Sequence, residues 1–194
     1  MKMIIMGPPG AGKGTQAKVI AAKLGIPAVS TGDIFRANVT EETELGIEAK
    51  RYMDSGDYVP DEVTNAMVKD RIAEADALDG FLLDGYPRTL AQVEELDEML
   101  AARDHHLDAV LVLTVDKDEI VQRLLKRAAD EGRSDDTAEV VRHRQDLYTE
   151  QTAPLIEVYD QRGIVVRVDG MGSVSDVTGR VFDALPKPDG TQSA

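Results

Sequence analysis

Gly7-Pro8-Pro9-Gly10-Ala11-Gly12-Lys13 has the spacing G-x-x-x-x-G-K, placed between a short apolar run and a helical stretch. Glycines at such spacing let the backbone curl until successive N–H groups point inward and cradle phosphate oxygens. The helix that follows adds the positive end of its dipole, and Lys13 brings a full charge to the terminal phosphates. The chemistry implied is binding and transfer of a phosphoryl group. The same glycines would also serve a plain strand-to-helix turn, but the strand before and the helix after favour the phosphate reading. In the general motif a hydroxyl follows the lysine and holds Mg2+; here Gly14 takes that position and the hydroxyl moves to Thr15.

Asp84 ends the apolar run Phe81-Leu82-Leu83. In an open α/β sheet, ligands bind beyond the carboxyl ends of the strands, so Asp84 is expected beside the phosphates, holding Mg2+ through water. Asp84-Gly85 is also a common turn pair, which is the plainer explanation of it. Arginines form the second signal: Arg36 and Arg88 sit beside turns, Arg123 and Arg127 share a helix face, and Arg133 and Arg144 follow. Guanidinium forks suit phosphate oxygens and stabilise charge on a transferring phosphoryl group. His105, His106 and His143 lack metal-ligand spacing and read as surface residues, the methionines as core filler, and Tyr148 and Tyr159 as packing residues. Asp136 with Glu139 reads as a capping box.

These residues need a scaffold of alternating strands and helices. Met3 to Met6, Ala28 to Ser30, Phe81 to Leu83, Ala109 to Val115 and Ile164 to Val168 read as strands that are apolar nearly throughout, hence covered on both faces. Helices are expected over Thr15 to Leu24, Ala91 to Arg103, Lys117 to Ala129, and Asp136 to Arg162 with a break near Pro154. Gly25 and Pro27 should end the first of these, and Asp33 is the expected N-cap of the helix after the second strand. The fold expected is α/β, a doubly wound parallel five-stranded sheet carrying the phosphate loop. Residues 30–59 and 126–136 fit it poorly and read as insertions, and the stretch after Leu185 reads as a disordered tail.

The chain has 194 residues, 22 Lys+Arg against 36 Asp+Glu, a net charge of −14 and no cysteine. That length suits one domain with insertions. Absence of cysteine excludes a disulfide scaffold, a thiol nucleophile and a Cys-ligated zinc. The acidity argues against nucleic acid or an anionic membrane as partner, and the early apolar run is too short for a signal peptide or a membrane span. A cytoplasmic protein is expected.

Four segments, Gly7 to Thr15, Ser30 to Arg36, Phe81 to Arg88 and Thr152 to Leu155, resemble adenylate kinases in order and spacing, over residues 1 to about 185. The resemblance implies Mg-dependent transfer of the ATP terminal phosphoryl group to AMP, giving two ADP, by a monomer. It implies a core of 1–29, 60–125 and 137–194, a nucleoside-monophosphate domain at 30–59 and a short lid at 126–136. By resemblance, Gly10, Ala11, Gly12, Lys13, Gly14, Thr15, Arg127 and Gly172 belong to the ATP site. Thr31, Arg36, Asp57, Tyr58, Val59, Gly85, Tyr86, Pro87, Arg88, Gln92, Arg133 and Arg144 belong to the AMP site. Lys13, Arg88, Arg123, Arg133 and Arg144 would stabilise the transferring phosphate, and Asp84 would serve Mg2+. Long-lid relatives carry zinc there; this chain resembles the short-lid form, with residues 128–131 as additions and no zinc expected. A UMP/CMP kinase is the nearest rival. A GTPase-type switch lacks its Asn-Lys-x-Asp run here, and an inactive scaffold would have lost Lys13 or several arginines.

Overall fold

The five apolar segments become strands β1 (Lys2–Met6), β2 (Ala28–Ser30), β3 (Phe81–Asp84), β4 (Ala109–Thr114) and β5 (Val165–Asp169) of one sheet. The structure is a computed structural model describing residues 1–116, 119, 120, 123, 124 and 137–186. Strand order is β2-β3-β1-β4-β5, and every neighbouring pair is parallel. The chain runs one way from β1 and then the other, so β1 and β3 flank the point where loops diverge and leave a crevice. The expected strands match to within about one residue at each end.

Pleating sends alternate residues to opposite faces, and both faces are covered. Ile4, Met6, Val29, Leu83, Val110 and Val112 pack with Val68, Ile72, Val93, Leu96, Leu155 and Tyr159. These come from helices α4 (Asp61–Arg71, with Ile72 directly after it), α5 (Leu90–Ala101) and α7 (Leu155–Gln161). Met3, Ile5, Leu82, Leu111 and Leu113 face the other way, against α1 (Lys13–Leu24) and α8 (Val174–Ala184) through Ala17, Ile20, Val177 and Val181. Each fully buried aliphatic side chain contributes about 1.5–3 kcal/mol, which is why the strands tolerate no polar face. A third, small cluster of Phe35, Ala49 and Val59 joins α2 (Thr31–Thr40) and α3 (Glu44–Ser55), apart from the sheet.

Helix ends follow local chemistry. Gly25 closes α1 in the left-handed region (φ 68), as expected. Asp33 does not cap α2: Ser30, in extended backbone, accepts from the Asp33 N–H, and Asp33 falls in the first turn. The capping box expected at Asp136 and Glu139 has its first member outside the described residues. Thr137 caps α6 (Ala138–Leu147) and accepts from Val140 N–H, one residue out of register for Glu139 to reply. The long helix expected to Arg162 is α6, one π-helical turn at Tyr148–Thr152, and α7. Pro154 lacks the N–H needed to continue, and the Ala153 N–H reaches back to Tyr148 O at 2.7 Å instead. Helices α4 and α8 were not anticipated, although Ser173 and Asp176 form a capping box that announces α8. Arg127, Arg133, residues 126–136 as a lid, most of the helix expected over Lys117 to Ala129, and the tail from 187 lie outside the described residues.

Candidate functional site

The phosphate loop leaves β1 and turns into α1 with Gly10 and Gly12 both at φ 87, a conformation that side chains rarely adopt. Lys13 opens α1 and donates through Nζ to Gly7 O (2.7 Å) and Pro8 O (3.0 Å), so its charge lies across the loop's concavity. The loop forms one wall of a cleft of about 900 Å³ at the carboxyl edge of the sheet. Gly10, Ala11, Gly12, Gly14, Thr15 and Gly172, the residues expected on the ATP side, all line it. Asp84, at the end of β3, faces the loop, with its Oδ2 3.4 Å from where a side chain on Gly14 would start. Burial raises the Asp84 carboxyl above its ordinary value, an effect that Lys13 and Arg88 only partly oppose.

Across the cleft, Arg88 donates from Nε to Gly85 O at 2.7 Å and lays its guanidinium 4.9 Å from the centre of the Tyr58 ring. Thr152, on the π-helical turn, donates to Arg88 O (2.9 Å), so the Tyr58 hydroxyl, 2.9 Å away, donates to Thr152 Oγ1. Thr31 donates to Gly85 O at 3.0 Å. A recess of about 60 Å³ opens here, lined by Thr31, Arg36, Val59, Gly85, Gln92 and Arg144. Asp57, Tyr58 and Arg88 also border it. Asp57 bonds His143 of α6 at 2.7 Å, and this contact together with Ser55 holds its carboxyl below the ordinary range. His143 is a surface residue, as expected, and is paired there with Asp57. Pro87 borders the larger cleft, and so does Tyr86, but the Tyr86 ring is 1% exposed and bonds Asn65 Oδ1 at 2.8 Å within the core.

Arg123 reaches the opposite end. Its Nε donates to Glu119 (2.8 Å), and its two terminal nitrogens donate to Ala11 O (3.3 Å) and Gly170 O (3.0 Å). It therefore ties the phosphate loop to the turn after β5. Of the residues sequence reading missed, Glu119 was accessible through its i,i+4 spacing to Arg123. Asp33 faces the cleft beside Asp84 while bonded to Arg36 at 2.6 Å, and no spacing signals that role. Tyr148 lines the cleft rather than only packing, and burial pushes its phenol up to about 12.

Mg2+ fits this donor set. Asp84 and Asp33 are hard oxygen donors that line the cleft together with the loop. That combination suits an ion held by one or two carboxylates, water and substrate phosphates. No helix among the described residues is long and apolar enough to cross a membrane.

A doubly wound parallel sheet with a phosphate loop after β1, and with Lys13, Asp84, Arg88, Arg123 and Arg144 around one cleft, defines a P-loop nucleotide phosphotransferase. The adenylate kinase family model matches residues 5–164. The adenylate kinase of Nocardioides sp. is 71% identical over 95% of this chain and 97% of its own length. Those of Kocuria rhizophila and Thermobifida fusca are 62% identical (96% of this chain, 99% of theirs) and 58% identical (95% and 98%). The chain belongs to the adenylate kinase family, and its activity is that family's, transfer of the terminal phosphoryl group of ATP to AMP to give two ADP.

Proposed function

We propose that ATP lies along the phosphate loop and AMP in the recess of Thr31, Val59 and Gln92, with the phosphates meeting between Lys13 and Arg88. The observation that carries this is the placement of both pockets on one sheet edge, sharing Arg36, Arg88 and Arg144 at their junction. The AMP phosphate is already an anionic nucleophile, so the protein supplies alignment and charge neutralisation rather than a base. Lys13 and Arg88 spread charge over the transferring group, and Arg144 and Arg36 hold the AMP phosphate. Arg123 braces the loop against Gly170 and lends its charge to the ATP end. Arg127 and Arg133 complete the set by their place in the motif. Mg2+ bound near Asp84 would neutralise phosphate charge and align the oxygens. Residues 30–59 and 126–136 act as the two flaps that exclude water and prevent hydrolysis of ATP. The protein works as a cytoplasmic monomer without nucleic-acid or membrane partners.

A coupled assay of ADP formation with Mg·ATP and AMP, then UMP, CMP and GMP, tests this reading. Turnover with AMP far above the others is the expected result. Comparable turnover with UMP or CMP would assign the recess to pyrimidine acceptors, and no turnover with any acceptor would refute the arrangement.

A further inference from the structure

Gln92 is 2% exposed, yet its side chain borders the acceptor recess. A carboxamide has two oxygen lone pairs and two N–H donors. One of each is used internally: Oε1 accepts from the Arg88 backbone N–H at 2.7 Å, and Nε2 donates to Asp61 Oδ1 at 2.6 Å. A backbone N–H only donates and a carboxylate only accepts. Turning the amide over would set donor against donor and acceptor against acceptor in a buried place. Asp61 is itself held, because its Oδ2 accepts from Thr89 Oγ1 at 2.7 Å. Thr89 in turn accepts from the Gln92 backbone N–H at 3.2 Å, closing a ring of three side chains between the starts of α4 and α5. One lone pair on Oε1 and one N–H on Nε2 remain for a ligand, and their positions cannot exchange.

We propose that Asp61 is a positioning residue for acceptor specificity: by locking the Gln92 amide in one orientation it selects 6-amino over 6-oxo purine monophosphates. This rests on the reading above that Gln92 meets the acceptor base. A 6-amino group donates and finds Oε1 waiting. A 6-oxo group would bring an acceptor against Oε1, a mismatch that a buried site rejects strongly.

The test measures kcat/KM for AMP, GMP and IMP, KM for ATP, and melting temperature in the parent protein, Asp61→Ala, Asp61→Asn, Gln92→Ala and the double alanine variant. Asp61→Ala is expected to raise KM for AMP and lower the AMP:GMP and AMP:IMP ratios by about tenfold, leaving KM for ATP unchanged. Asp61→Asn offers Nε2 either an oxygen or an amino group and is expected to lower the ratios by about threefold. In the Gln92→Ala background, adding Asp61→Ala should change the ratios no further. Ratios unchanged in whichever Asp61 variants fold, while Gln92→Ala collapses them, would overturn the role of Asp61 alone. A further fall in the double variant would do the same. Ratios unchanged in Gln92→Ala would overturn the placement of the base, and the inference with it.

Discussion

Arg88, proposed above to stabilise the transferring phosphate, illustrates how little of such a side chain is committed to folding. Its guanidinium touches one carbonyl and one ring, Gly85 O and Tyr58, while its backbone carbonyl takes the Thr152 bond that any residue would take. Arg88→Ala is therefore expected to lower kcat by about 10²-fold or more with a small change in melting temperature, as for loss of one charge-stabilising donor. A large drop in both quantities would make it structural. Asp84 shows the converse, a residue retained against stability. Its carboxyl is raised from the ordinary 3.8 by burial, so ionising it costs the folded state. An acid with a raised folded value stabilises most below 3.8, and that contribution is lost as pH rises through the folded value. Asp84→Asn, which does not titrate, should gain in melting temperature relative to the parent as pH rises through that window. At neutral pH it should melt higher while turning over more slowly, and thermal scans across pH with parallel assays would show both.

At the scale of elements, the pair α2 and α3 depends on close backbone approach. A Cβ on Gly46 would stand 2.0 Å from Asn38 O and 2.6 Å from Val39 N, both main-chain atoms that cannot turn aside. Gly46→Ala should therefore disrupt this pair, with its small cluster of Phe35, Ala49 and Val59, while the two layers on the sheet survive. Hydrogen exchange is the measurement: faster exchange over 31–59, unchanged protection in β1, β3 and β4, and a raised KM for AMP. The segment directly after α3 is joined to α6 and the π-helical turn by Asp57–His143 (2.7 Å) and Tyr58–Thr152 (2.9 Å), bonds across 86 and 94 residues of chain.

For the whole molecule the governing fact is a net charge of −14 around a cleft built to hold polyanions. Lys13, Lys18, Arg36, Arg88, Arg123 and Arg144 line that cleft against Asp33, Asp84 and Glu119, so the cleft is locally basic in a chain that is acidic as a whole. Salt screens both the attraction of the cleft for polyanions and the repulsion among the excess acidic groups. Raising NaCl from about 0.02 M to about 0.5 M should lift the melting temperature by several degrees, and raise KM for both nucleotides, as surface repulsion and cleft attraction fade together. Differential scanning fluorimetry alongside steady-state kinetics would separate the two; a melting temperature that falls with salt would contradict the account.

The amino-acid sequence by itself determined the sheet and the phosphate loop, and it placed Lys13 and Asp84 at the same edge of that sheet. Strands buried on both faces are apolar throughout, and a phosphate cradle needs glycines at set spacing, so both signals are local. Gly25 ending α1 was legible for the same reason, since a left-handed residue after a helix favours glycine. Only the tertiary structure decided that Ser30 rather than Asp33 caps α2, because the cap depends on where β2 stops. Only it showed Thr152 beneath Arg88 and Asp61 against Gln92, contacts 64 and 31 residues apart that no periodicity encodes. Catalytic type is written in neighbouring residues, whereas the orientation of a specificity-bearing side chain depends on partners that folding alone brings within hydrogen-bond distance.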